Sequence, residues 1–248
     1  MRYFFEITYD GRKYHGWQSQ ANALGIQAVV EDALQKLLRI KVPVVGSGRT
    51  DTGVHCLQQF FHADIEKPFD HLLLVQRLNS LLPKDIAIRS IRKVKPDASA
   101  RYAAVERTYV YRINRTKEPL QEGLSFYFFK PLDMPTLRRA TSLLTGMHDF
   151  ECFSKVRTDV DHFRCHVKDA YWAMKGNQLT FTITANRFLR GMVRAIVGTL
   201  LDTGTGKTSL EQFAAILKSG DRKKAGMNVP ADGLYLAKVK YPSNIFIK

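Results

Sequence analysis

Acidic residues are in short supply: 23 Asp and Glu stand against 38 Lys and Arg, a formal net charge of +15. Such an excess disfavours cationic partners and suits a polyanion, nucleic acid foremost. Cysteine is scarce too. Cys56, Cys152 and Cys165 are odd in number and lack C-x-x-C spacing, which argues against a disulfide framework and a ribbon-type zinc site. Cys152, His162, Cys165 and His166 are the one group with mixed thiol and imidazole ligands, but their spacing matches no standard finger, so no metal is expected. Long apolar runs are missing, and none approaches the roughly 20 residues of a spanning helix. The start, MRYFFEITYD, reads as a strand rather than a signal peptide. No membrane partner is expected, and the chain is read as cytoplasmic. No low-complexity linker interrupts it.

What is present is 248 residues with 45% hydrophobic content, enough for one large domain or two smaller ones. Tyr3, Phe5, Ile7 and Tyr9 alternate with Phe4, Glu6 and Thr8, a strand closed by the turn YDG. Ile26, Val29, Val30, Ala33, Leu34, Leu37 and Leu38 recur at helical spacing. A strand at QQFFHADI, a helix over 70–82 and a strand at IAIRSIRKV complete a β-α-β-α-β first half. From about residue 105 the ingredients return: strand ERTYVYRIN, helix PTLRRATSLLTG, strands near 163–175 and 178–185, helices at 188–202 and 209–218, and a final strand LYLAKVKY. In LTFTITAN the apolar residues alternate with threonines, as on a sheet with one buried face. The expected fold is α+β: similar halves, 1–104 and 105–248, whose sheets can join edge to edge, with helices on one side.

Residues 46–55, GSGRTDTGVH, carry the clearest chemistry. Glycine lets backbone approach a ligand closely, and a guanidinium such as that of Arg49 favours an ionised Asp51, available as nucleophile or charge stabiliser. The same string also describes a tight turn with a surface ion pair. The glycine-punctuated, aromatic YDGRKYHGWQSQ reads either as a binding loop carrying Tyr14 and Trp17 or as a loop those rings anchor. Tyr109 and Tyr111 share one strand face, as core or as a stacking platform for a base. In a helix over FLRGMVRAIVGTLL, Arg187, Arg190 and Arg194 would form one stripe, either facing phosphates or solvated. Arg194 lies among apolar residues and needs a partner. TGTGKTS imitates the end of a phosphate-binding loop, but Leu201 stands where that loop requires glycine. No nucleotide cofactor is expected, and Thr208 with Glu211 reads as a capping box.

YDGRKYHGWQSQ, Gln27 at the head of the first helix, GSGRTDTGVH, LNSLLPKDIAI, ARYAAVERTYVY, GMHDFECF, MVRAIVGTL and DGLYL follow one another in an order that resembles the tRNA pseudouridine synthase A family, the tRNA pseudouridine(38-40) synthases. The likeness runs from about Tyr9 to Tyr241. It implies a catalytic Asp51, an Arg49 that helps displace the target base, Tyr109 rather than Tyr111 stacked on the uracil, and Arg194 paired with the catalytic carboxylate. Tyr14, Trp17, Arg187 and Arg190 are further candidates for RNA contact. The resemblance also implies one continuous, mostly antiparallel sheet, a basic cleft, and a homodimer whose protomers both touch each tRNA anticodon stem-loop. The reaction needs no cofactor, since uridine is only rearranged. Thr52, Cys56 and Ser99 depart from the common pattern without removing a reacting group, and the segment after Tyr241 is short. Two other classes are weighed beside it. A non-catalytic RNA-binding protein has no use for a carboxylate facing phosphates, and a nucleoside hydrolase would release free uracil.

Overall fold

The computed structural model describes residues 1–156 and 160–247. In chain order these form β1 (Arg2–Tyr9), α1 (Ile26–Leu38), β2 (Val45–Gly46), β3 (His55–Asp64), α2 (His71–Leu81), β4 (Ile86–Lys93), β5 (Glu106–Asn114), β6 (Phe126–Tyr127), α3 (Met134–Ser142), β7 (Gly146–Asp149), β8 (Arg164–Lys175), β9 (Gln178–Ala185), α4 (Met192–Gly204), α5 (Leu210–Ser219) and β10 (Leu234–Lys240). The fold is α+β with mostly antiparallel strand pairing, as the periodicities require.

Two units share the chain. The first comprises Met1–Glu106 together with Tyr235–Lys248, and the second Arg107–Leu234. The sequence-based division at 104/105 groups the C-terminal segment with the second half, whereas it packs with the first. The reason is strand pairing: β10 lies parallel to β3, with Tyr235 opposite His55 and Leu236 opposite Cys56, and Val239 N–H donates to Gln58 Oε1.

In the first unit β1 pairs antiparallel with both β3 and β4. Phe4, Phe5, Ile7 and Phe61 are fully buried, and the rings of Phe5 and Phe61 stack at 4.8 Å. The α1 helix buries Ile26, Val30, Ala33 and Leu34, four of the seven residues its periodicity selects, while Val29, Leu37 and Leu38 are half-buried. Asp70 caps α2 by accepting from Leu73 N–H, and the helix stops just before Pro83. His62 on β3 is enclosed. Its Nδ1 accepts from Ala100 N–H at 3.1 Å, and its ring lies against Phe4.

In the second unit β5, β9, β8 and β7 pair antiparallel in that order, and the short β6 runs parallel to the end of β5. Leu179, Phe181, Ile183 and Ala185 of β9 are fully buried, while the threonines between them are half-buried, as the alternation requires. Trp172 Nε1 on β8 donates to Thr141 Oγ1 on α3, fastening helix to sheet. Two helix boundaries differ from expectation. The α4 helix starts at Met192 rather than near 188 because Gly191 adopts φ +73°, a left-handed conformation a helix cannot contain. The expected stripe therefore does not exist, since Arg187 and Arg190 precede the helix. The capping box of α5 is Ser209 with Gln212, one residue later than the Thr208–Glu211 pair.

The three cysteines are free and buried, and burial pushes the Cys56, Cys152 and Cys165 thiols up, Cys152 to about 12 and Cys165 to about 11. Among the described residues, no three His, Cys, Asp or Glu side chains converge in a way that could hold a metal ion.

Burial, aided by the nearby Arg2, lowers the His62 pKa below its ordinary 6.5 despite the opposing Asp64 charge. The unfolded chain takes up this proton near pH 6.5 and the folded chain resists it. The associated stability is therefore complete above about pH 6.5 and is lost as pH falls through that value towards the lowered folded one. His62→Gln keeps an acceptor without titrating. Urea unfolding at pH 7.5 and 5.5 is expected to show a smaller acid loss of stability in this variant than in the unaltered chain.

Candidate functional site

Asp51 lies half-exposed between β2 and β3, on a loop whose backbone is fastened on both sides of it. Before it, the buried Thr50 Oγ1 meets Tyr9 Oη at 2.8 Å. The Tyr9 hydroxyl donates to Gln59 Oε1, and Gln59 Nε2 in turn donates to Gly48 O at 3.2 Å. After it, Gly53 N–H donates to Tyr14 O and Val54 N–H donates back to Asp51 O. The carboxylate is thus carried on a backbone with little freedom, which is what a reacting group needs.

The partner of this loop is the connection from β1 to α1. Trp17 N–H donates to Thr50 O at 3.3 Å. The two backbones approach so closely that side chains are forbidden at two positions. A Cβ at Gly11 would lie 2.1 Å from Val54 O, and one at Gly16, where φ is +84°, would lie 2.1 Å from Thr50 O. Tyr14 and Trp17 are only 4% and 3% exposed. Tyr14 Oη donates to Asp85 Oδ1 at 2.6 Å, and burial with that carboxylate pushes the phenol pKa up. Trp17 packs between Tyr9 and Phe61. Of the two expectations for these rings, anchoring the loop describes them; they do not stand on a surface open to RNA. Arg49 is exposed beside Asp51 in sequence.

A second set of charges lies behind the loop. His55 Nδ1 is 3.2 Å from both Gly11 N and Asp10 Oδ1, and the ring stacks on Tyr235 at 4.6 Å. Burial raises the Asp10 pKa, but hydrogen bonds from the Arg12 side chain and backbone, with His55 nearby, outweigh it and hold the carboxyl below its ordinary value. Sequence reasoning quoted His55 only as part of a motif and missed Tyr9, Thr50 and Gln59. The available signal was a polar Gln59 directly before the apolar pair Phe60 and Phe61, where burial demands a partner.

The remaining candidates belong to the second unit. Arg194, in the first turn of α4, is half-buried and has the partner its apolar setting requires: Nε donates to Val229 O at 2.6 Å. Tyr111 is fully buried and donates to Pro230 O at 2.8 Å. Tyr109, two residues earlier on the same strand face, is half-buried with its ring edge-on to Phe188 at 4.9 Å. The two tyrosines that the sequence leaves equivalent therefore differ in depth. Arg187 is half-buried with Nη1 3.3 Å from His162 Nε2, and Arg190 is exposed. Lys207, from the discarded phosphate-loop string, pairs with Asp202 at 3.0 Å.

Residues 7–103 and 140–242 match the family described as tRNA pseudouridine synthase. The chain is 45% identical over 250 residues to tRNA pseudouridine synthase A of Porphyromonas gingivalis, covering 99% of each. It is 44% identical to the protein of that name from Parabacteroides distasonis, covering 99% of this chain and 98% of the relative. With the one from Caldicellulosiruptor bescii it shares 40% identity, over 95% and 97% of the two chains.

The close approach of the two loops makes a direct prediction. Gly16→Ala is expected to destabilise by at least about 2 kcal/mol, through positive-φ strain and collision with Thr50 O. Gly48→Ala, where a Cβ meets nothing within 4 Å, is expected to stay within about 1 kcal/mol of the unaltered chain. Urea titration of both variants checks the contrast.

Proposed function

Given that the chain belongs to the tRNA pseudouridine synthase family, and so is an isomerase that acts on tRNA, we propose that Asp51 is its catalytic carboxylate and that its targets are uridines 38, 39 and 40 of the anticodon stem-loop. The observation that carries this reading is the construction of the Asp51 loop. A short acidic side chain is held half-exposed on a backbone fixed by Tyr9, Gln59, Gly16 and Gly53, in a chain of net charge +15. A protein that only gripped RNA would gain nothing by presenting a fixed negative charge to phosphates.

Pseudouridine formation breaks the bond from uracil N1 to ribose C1′ and joins C5 to the same carbon. C5 gives up a proton and N1 gains one, so no atom is lost and no electrons are transferred. Positive charge develops at C1′ when the glycosidic bond weakens, and carboxylates serve such centres as nucleophiles, bases or stabilisers. Asp51 fills that role. The target base must first leave its stack, at a cost of a few kcal/mol. Arg49 takes part in displacing it, and Tyr109 offers the freed uracil an aromatic face, its half-buried ring being the more accessible of the strand's pair. Arg194 serves as the basic partner of the Asp51 carboxylate. Arg187 and Arg190 supply phosphate contacts. The enzyme works as a cytoplasmic homodimer, both protomers meeting one anticodon arm.

Asp51→Ala is expected to lower turnover of a tRNA transcript by at least about 1,000-fold and to leave the Kd for tRNA within about threefold, as read by tritium release from 5-labelled uridine and by filter binding. Turnover retained in this variant overturns the assignment. Tyr109→Ala is expected to cost about 1–3 kcal/mol of base stacking, read as a fall in kcat/KM on the same transcript.

A further inference from the structure

The segment from Asp221 to Pro230, between α5 and β10, gives the candidate site only the carbonyls of Val229 and Pro230, yet it is tied to α4 along its length. Arg222, half-buried, organises it from within. Its Nη1 donates to Ala225 O at 3.3 Å and Gly226 O at 3.0 Å, and its Nη2 donates to Asn228 Oδ1 at 2.9 Å. Three acceptors in one short turn fit a planar guanidinium and not a lysine ammonium. The turn then docks on α4. Gly226 N–H donates to the buried Thr199 Oγ1 at 2.8 Å, and Met227 O comes so close to the helix that a Cβ at Gly198 would lie 1.9 Å from it.

The docked turn ends on Arg194. Val229 N–H donates to Arg194 O at 3.3 Å, and Arg194 Nε donates to Val229 O at 2.6 Å, so one peptide residue grips both the backbone and the side chain of this arginine. The next carbonyl, Pro230 O, accepts from the Tyr111 hydroxyl. With Nε engaged, rotation of the guanidinium about its stem is restrained. Three of the five Arg222 donors go to acceptors within the turn.

We propose that Arg222 is a positioning residue for the isomerisation: it shapes the 222–230 turn so that Val229 O holds Arg194 in its working orientation. This rests on the reading of Arg194 as the partner of Asp51. Arg222 touches neither substrate nor Asp51 in this account, and it acts through Arg194 alone.

The test is a double-mutant cycle on a tRNA transcript, with near-ultraviolet circular dichroism and tRNA Kd as checks on folding and binding. Arg222→Ala is expected to lower kcat by about 10- to 100-fold, the cost of a misplaced group near the chemistry, with KM within about twofold. Arg222→Lys, which keeps the charge but not the fork, is expected to fall with it, and it carries the test if the alanine variant does not fold. Added guanidinium is expected to restore part of the kcat of Arg222→Ala. In the Arg194→Ala background, Arg222→Ala is expected to cost nothing further, because groups acting as a unit are not additive. An unchanged kcat, a loss confined to KM, or additive losses in the double variant overturns the proposal. A normal kcat in Arg194→Ala overturns the reading of Arg194 itself, whereas loss in Arg194→Ala with normal Arg222 variants overturns only the role of Arg222.

Discussion

The first unit depends on one contact: two loop backbones that touch without side chains between them. Gly11 against Val54 O and Gly16 against Thr50 O leave no room for even a methyl group. That approach brings Trp17 N–H to Thr50 O and Tyr14 O to Gly53 N–H. The two bonds flank Asp51, so the backbone that carries it is held at both ends by a neighbour that is itself wedged into the core through Trp17. A carboxylate on a free loop would have to be ordered anew for every substrate, and that entropy would be subtracted from catalysis.

The second unit solves a related problem by a different route. Arg194 brings a guanidinium into an apolar helix, where an unpartnered one would be costly. One carbonyl, Val229 O, satisfies Nε while leaving the rest of the fork available. The same turn also accepts the Tyr111 hydroxyl, so the deeper of the two strand tyrosines is tied into the fold, whereas the Tyr109 ring is half-buried. The two loops of the first unit differ in the same sense: Tyr14 and Trp17 are buried anchors, whereas Arg49 is exposed and Asp51 half-exposed.

Much of this was legible in the sequence wherever a local period decides the outcome. The alternation of Leu179, Phe181, Ile183 and Ala185 with threonines reappears as a buried face, and the helical recurrence from Ile26 to Leu38 as one whose centre, Ile26, Val30, Ala33 and Leu34, is buried. The need of Arg194 for a partner also followed from its apolar neighbours. What failed did so for identifiable reasons. A helical wheel places Arg187, Arg190 and Arg194 together, but Gly191 at φ +73° breaks the wheel, and a glycine's backbone angle is not written in its neighbours. The capping box slipped by one residue because Thr208 and Ser209 are chemically alike, and only geometry chooses between them. The return of β10 to β3 is a parallel pairing across more than half the chain, beyond the reach of any local signal. Tyr14 and Trp17 were ambiguous because an aromatic residue in a polar loop looks the same whether it points in or out.

The central claim is that one fixed carboxylate, on this family's scaffold, rearranges uridine at three adjacent positions of the anticodon arm. The most direct measurement is pseudouridine mapping of total tRNA from cells that lack this chain, compared with the same cells given it back. The account predicts that pseudouridine vanishes at positions 38, 39 and 40 alone and returns with the chain. An unchanged map at those positions would contradict it.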